Sequence, residues 1–396
     1  MPIVISALLV LLFVCLLTLW APTLPFASLF LAGVFLLALI ELMKTGIRRG
    51  RTSWMGIAPV AALPLWGLLQ VVSSLSVYPV ASRLGTLAAL ACFCVAFIAS
   101  GIPARSVDRV RLVLLWFAFV VAVLAILQNL TSLQKVFWIF FVENAGTDLM
   151  GPFVYHNHWA VFIEIALPFA IYQALRAYGG RVWLYAAMAA ALYGSVVVSA
   201  SRSGVIVCTL EIVVVALLMG REERMEAGAM WAFVAFFGVL VLGVFIAGPE
   251  TVLRRFQEDV TFGRADWNQT SLVMFQARPW QGFGLGNWPV VYPQFAHLDL
   301  GVFVNQAHND WLQWAVEGGA PYLLAWIVIA AVAVRQAWRF PWAAGVPAVF
   351  CQALMDYPFA RPALAGWVFL VFGMSLAAGA GKGERTAHNR PRVCST

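Results

Sequence analysis

Val110-Arg-Leu-Val-Leu-Leu-Trp-Phe-Ala-Phe-Val-Val-Ala-Val-Leu-Ala-Ile-Leu-Gln-Asn129 holds a single charge in twenty residues. About 20 predominantly apolar residues are what one helical crossing of a bilayer requires. The rest of the chain repeats the pattern. Of its 396 residues, 62% are apolar and only 11% are charged, against about 25% charged in soluble domains. Disorder is excluded, because disordered chains are poor in apolar residues. A soluble globule is excluded as well, since a chain of this length cannot hide so many apolar side chains from water.

Eleven further runs accompany 110–129: 3–21, 24–43, 54–76, 84–101, 157–175, 183–200, 204–219, 229–247, 309–334, 342–356 and 363–380. They predict an all-α polytopic membrane protein of about twelve transmembrane helices, with 1–396 as a single integral membrane domain. The N-terminal run lacks a basic leader and is read as an uncleaved first helix. The run at 309–334 is broken at Gly318-Gly319, so a short helix is expected before the true span. No internal repeat is evident, and the six cysteines form neither a disulfide framework nor a CxxC metal site.

Cytoplasmic loops collect Lys and Arg. With the N-terminus inside, seventeen of the 25 basic residues fall on the cytoplasmic side. The net charge of +7 is therefore an orientation signal and carries no implication of nucleic-acid binding. Of the eight remaining cations, Arg254, Arg255, Arg264 and Arg278 belong to 249–308, the one long polar stretch between spans nine and ten. Long ordered loops are usually functional. This one is expected to be extracytoplasmic and to carry part of the site.

At its end stands His308-Asn-Asp-Trp-Leu-Gln-Trp-Ala-Val-Glu317-Gly-Gly319. A histidine with an ordinary pKa near 6.5 accepts a proton at neutral pH; helix capping or an interfacial position is the alternative reading. Arg202, at the tight turn Ser201-Arg-Ser-Gly204, has no acidic neighbours, which is costly at membrane depth and marks a functional candidate. Guanidinium forks match phosphate oxygens, whereas snorkelling to headgroups is the bland alternative. Arg264 is similar, although Asp266 or Glu258 would be able to pair with it. Gly282-Phe-Gly-Leu-Gly286 lacks the spacing of a dinucleotide loop and reads as a tight turn. His156-Asn-His158 does not share a helix face and suggests no metal site. Glu164 and Glu211, mid-span acids, are either proton-relay groups or partners of buried donors.

The His308–Gly319 run resembles the signature of the O-antigen ligase superfamily, which also includes O-antigen polymerases. Three further segments agree in order: Gly151–Ala160, Ser201–Gly204, and Gly263-Arg264 with Trp267 followed by Pro279–Asn287. Tyr155 stands where related chains often have Asn. The resemblance covers about 150–360; the first five spans match in character only. It implies a GT-C-like, metal-independent glycosyltransferase without cofactor in the bacterial inner membrane, its site facing the periplasm. The implied donor is an undecaprenyl-pyrophosphate-linked glycan, and the implied acceptor is a lipid A–core sugar or another glycan. Arg202 and Arg264 would hold the pyrophosphate and His308 would activate or position the acceptor. Asn157, His158, Asn309, Arg278 and Arg361 are further candidates for substrate binding. Glu317, Gly318, Gly319, Gly284 and Gly286 are assigned to the structural motif. A ligase, a polymerase or exopolysaccharide polymerase, and a protein O-oligosaccharyltransferase differ in acceptor alone. A lipid or glycan transporter is the alternative from another class, against which stand the lack of half-repeats and the gathering of polar groups at one face.

Overall fold

The computed structural model describes residues 2–21, 23–45, 51–132, 135–142, 149–221, 261–297 and 303–388. The expected ninth span, 229–247, lies outside the described residues, as do Glu258, Arg254 and Arg255. Within them the chain is helical: α1 (Ile3–Leu17), α2 (Thr23–Thr45), α3 (Arg51–Val72), α4 (Pro79–Ser100), α5 (Ala104–Thr131), α6 (His156–Arg176), α7 (Gly180–Val198) and α8 (Arg202–Gly220). After α8 come α9 (Thr261–Ala277), α10 (Trp288–Val291), α11 (Asp310–Arg339), α12 (Gly345–Gln352) and α13 (Pro362–His388). Among the described residues the only strands are β1 (Lys135–Val136) and β2 (Phe140–Phe141), which pair as a hairpin.

Nine of these helices are long and apolar enough to cross a membrane. Apolar side chains line the outside of the bundle, among them Leu36, Leu65, Val120 and Leu210. Lipid cannot bond to backbone groups, so each crossing satisfies its own N–H and C=O groups internally, and a helix does this. Two spans form the centre: 89% of the apolar window is buried in both α6 and α13, against 17–44% in the other seven. Trp159, Phe162 and Phe169 of α6 and Trp367, Phe369 and Phe372 of α13 are among the largest wholly buried side chains. The chain is a multi-pass, all-α membrane protein.

The two ends of the bundle differ in chemistry. At one end Arg111 lies over the rings of Tyr172 (4.5 Å) and Trp342 (5.6 Å), Arg176 over Tyr172, and Arg221 over Trp338 at 4.1 Å. The opposite end gathers the starts of α6, α8 and α11.

Two expected spans take a different form. In α11, Gly319 adopts φ 69°, ψ −173° and divides the short helix 310–318 from the span proper. A Cβ there would meet the Trp280 carbonyl oxygen at 2.3 Å, so the position needs glycine. The run 342–356 is not one helix. It begins with a 3-10 turn, Pro341–Ala343, continues as the eight-residue α12, and turns again before Asp356. Eight residues rise only about 12 Å. Still, the segment carries the chain back to the start of α11, where the Asp310 N–H donates to the carbonyls of Ala353 and Asp356. Irregular backbone at this depth is tolerated because protein encloses it: Trp342, Val346, Val349, Phe350 and Ala353 are all buried.

Candidate active site

His308 precedes α11 in a left-handed conformation (φ 52°), uncommon for a residue with a side chain. It is not the helix cap. That role falls to Asn309, whose Oδ1 accepts from the Leu312 N–H at 3.2 Å. The His308 ring is sandwiched, stacked on Trp267 of α9 (4.9 Å between centroids) and edge-on to Tyr357 (4.7 Å). Its Nδ1 lies 3.9 Å from Asp356 Oδ1, too far for a hydrogen bond but close enough for charge to matter. The two side chains are 18% and 0% exposed.

Electrostatics divide the pair. Burial, then the nearby Arg264 guanidinium, push His308 down to about 4. Burial pushes the Asp356 carboxyl up to about 7, opposed by the Tyr357 backbone and by Arg264, His156 and Arg361. Below neutrality the proton therefore belongs to the carboxyl, and the imidazole is neutral. The plain expectation of a histidine titrating near 6.5 is corrected: desolvation dominates.

Arg264 is held at this spot by α9. Its Nη2 donates to the Tyr155 hydroxyl (3.1 Å) and its Nη1 to the Met355 carbonyl (3.4 Å). Asp266, one candidate partner, instead accepts from the Tyr292 hydroxyl at 3.4 Å. Tyr155 makes this polar contact through its phenol, which also accepts from Asn157 Nδ2 at 3.0 Å. Burial first, then Asp356, raise that phenol above its ordinary range, so it remains protonated.

The remaining candidates divide into groups. His158 is buried beside Tyr155 and Tyr357 (4.8 and 4.9 Å), its Nε2 without a protein partner. Arg361 lies 5.7 Å from the Tyr357 ring. Asn157 is occupied at both ends, since its Oδ1 accepts from the Ser201 hydroxyl at 2.7 Å. That bond ties the start of α6 to the turn from which Arg202 opens α8. Ser203 accepts from Gln352 Nε2 at 2.8 Å, which fixes α8 to α12. Arg278 lies over the Phe283 ring (4.9 Å) at the end of α9.

Glu317 faces elsewhere. Its carboxylate accepts from the backbone N–H groups of Gly286 (2.7 Å) and Trp288 (3.3 Å) and from Gln313 Nε2 (3.1 Å). It thereby clasps the loop 279–288, which also holds Gly284. The Phe283 and Gly284 N–H groups donate to the carbonyls of Val316 and Glu317. Gly282 has φ 65°, and a Cβ there would sit 2.3 Å from the Glu317 carbonyl oxygen. The loop's other side is held by the first half of the chain. Gln70 of α3 donates to the carbonyls of Gln281 and Glu317 and accepts from the Leu285 N–H. Asn287 accepts from the Tyr78 N–H and donates to Ser82. Helix α3 and the start of α4 therefore position the loop that follows Arg264.

Sequence reasoning missed Asp356 and Tyr357. The available signal was a lone acid in the short connection before Arg361, within otherwise apolar surroundings. Glu164 and Glu211 are buried in α6 and α8, and none of their carboxyl oxygens has a hydrogen-bond partner. Among the described residues no three His, Cys, Asp or Glu side chains converge as a metal-ligand set.

No curated protein matches the chain. A family model described as O-antigen ligase matches residues 186–327, from within α7 to within α11. Arg202, Arg264, His308 and Glu317 all fall inside that stretch, and the match supports membership of the O-antigen ligase superfamily, with activity of the ligase or polymerase type.

Proposed function

We propose that the chain transfers a glycan from a polyprenyl (undecaprenyl) pyrophosphate to a hydroxyl of a lipid A–core sugar, acting as a ligase on the periplasmic face of the inner membrane. The observation that carries this reading is the meeting of Arg264, His308 and Asp356 at the end of the bundle opposite the cation–aromatic belt. The acceptor O–H gives its proton to His308 Nε2 while Nδ1 faces Asp356. The acceptor oxygen bonds to the anomeric carbon, and the bond from that carbon to the pyrophosphate oxygen breaks. The leaving pyrophosphate takes the electron pair. Arg264, Arg202 and Arg361 supply fixed positive charge for it, in a site where preorganised donors act more strongly than in water. In this reading His158, beside Tyr155 and Tyr357, is a candidate contact for the glycan.

The orientation follows from the basic residues at the opposite end, which belong in the cytoplasm. The donor must arrive already activated, because no nucleotide sugar reaches the outer face.

The test is transfer by the purified protein in nanodiscs, given the lipid-linked glycan and, separately, a lipid A–core acceptor or more lipid-linked glycan. Product on the core acceptor, persisting in excess EDTA, supports the ligase. Chain extension without core acceptor makes it a polymerase. Activity lost to EDTA and restored by Mg²⁺ would overturn the arginine model.

A further inference from the structure

The hairpin β1–β2 between α5 and α6 is built against the usual rules for a turn in water. The Ile139 N–H donates to the Val136 carbonyl at 3.1 Å, and both central residues, Phe137 (φ 52°) and Trp138 (φ 61°), are left-handed. A turn with two positive φ angles is ordinarily made by Asn-Gly or a similar pair. Aromatic residues in that region are conformational outliers, and such strain persists only where the surroundings impose it. Here the supports are visible. The Phe137 N–H donates to the side chain of buried Gln128 at 2.9 Å, and the Trp138 indole N–H to Thr131 at 2.7 Å.

What the turn presents is apolar. Trp138 is 39% exposed, Ile139 72%, Phe140 43% and Phe141 59%. This patch continues the lipid-facing surface of α5, where Leu127 (47%) and Leu130 (72%) lie just before the hairpin. Trp20, just beyond α1, stacks on Phe140 at 4.4 Å, and exposed Lys135 stands at the hairpin's base. Aromatic rings, apolar bulk and a cation at the end of a spanning helix are the composition of the bilayer interface.

We propose that the hairpin 135–141 is a membrane-interface anchor, inserted into the headgroup–acyl boundary of the leaflet on the active-site side. Gln128, which accepts from Phe137, also donates to the Gly151 carbonyl at 3.3 Å. The anchor is thus joined to the segment that leads into Tyr155.

A spin label on Ile139→Cys, with Cys351 and Cys394 replaced by Ser, reads its depth in nanodiscs of phosphatidylethanolamine and phosphatidylglycerol. Oxygen should relax the label more than a water-soluble nickel chelate does. A second variant guards against the label inserting by itself. Phe137→Asn with Trp138→Gly keeps a turn suited to the backbone and removes the aromatic tip, so a label on Phe141→Cys should become more accessible to the chelate than in the otherwise unaltered hairpin. Dominance of the chelate at Ile139, or an unchanged Phe141 label in the double variant, would overturn the proposal. Protection of Ile139 from both reagents would also overturn it, because a protein partner would then cover the tip.

Discussion

Replacing Asp356 by Asn removes one charge and almost no volume from beneath His308. At pH 7, placing a proton on an imidazole whose pKa is about 4 costs about 4 kcal/mol, at about 1.4 kcal/mol per unit. A carboxylate 3.9 Å away returns a comparable amount, about 4 kcal/mol at an effective dielectric near 20. The two effects nearly cancel, so under the proposed mechanism His308 serves as a base only while Asp356 is ionised. Asp356→Asn should then slow transfer by between about 30-fold and about 1,000-fold, as the proton is half or wholly moved in the transition state. The sign of the pH dependence follows. Burial holds Asp356 protonated up to about 7, so the carboxylate forms, and the wild-type rate rises, as pH increases through that value. The Asn variant should lose this step. The assay is initial rate against pH in nanodiscs, with folded protein quantified by gel filtration. A folded variant with the wild-type rate and the wild-type pH profile would refute the reasoning.

Other perturbations separate the chemistry from its scaffold. Glu317→Ala leaves the part-buried Gly286 N–H and the buried Trp288 N–H without their carboxylate, and should destabilise the protein by about 2–3 kcal/mol, seen as a lower Tm in detergent. Gly282→Ala places a methyl against the Glu317 backbone and should reduce the yield of folded protein, whereas the wild-type rate per folded molecule would argue against a role for the loop. Arg264→Lys keeps the charge but cannot span both Tyr155 and Met355; transfer should fall at least about tenfold with Tm nearly unchanged.

Much of the fold was legible because the bilayer imposes a simple length and composition rule. An apolar run such as 110–129 has one available structure, and Gly318-Gly319 marked the break in α11 because only glycine enters the conformation seen at Gly319. Residues 342–356 return the chain from one end of the bundle to the other as expected, but not as one helix: apolar composition reports burial from water, and it does not distinguish a lipid-facing helix from the 3-10 turn and short α12 that protein encloses. Motif spacing brought Arg202, Arg264 and His308 into view. It was silent on Asp356, because the partner of His308 comes from 48 residues further along the chain, and on Gln70, which reaches the Gly282–Gly286 loop from α3. Local pattern and resemblance determined which helices form and which residue types were candidates for the chemistry. The proton balance between His308 and Asp356 was decided by tertiary packing alone, because desolvation and the field of Arg264 exist only once distant segments close around the same imidazole.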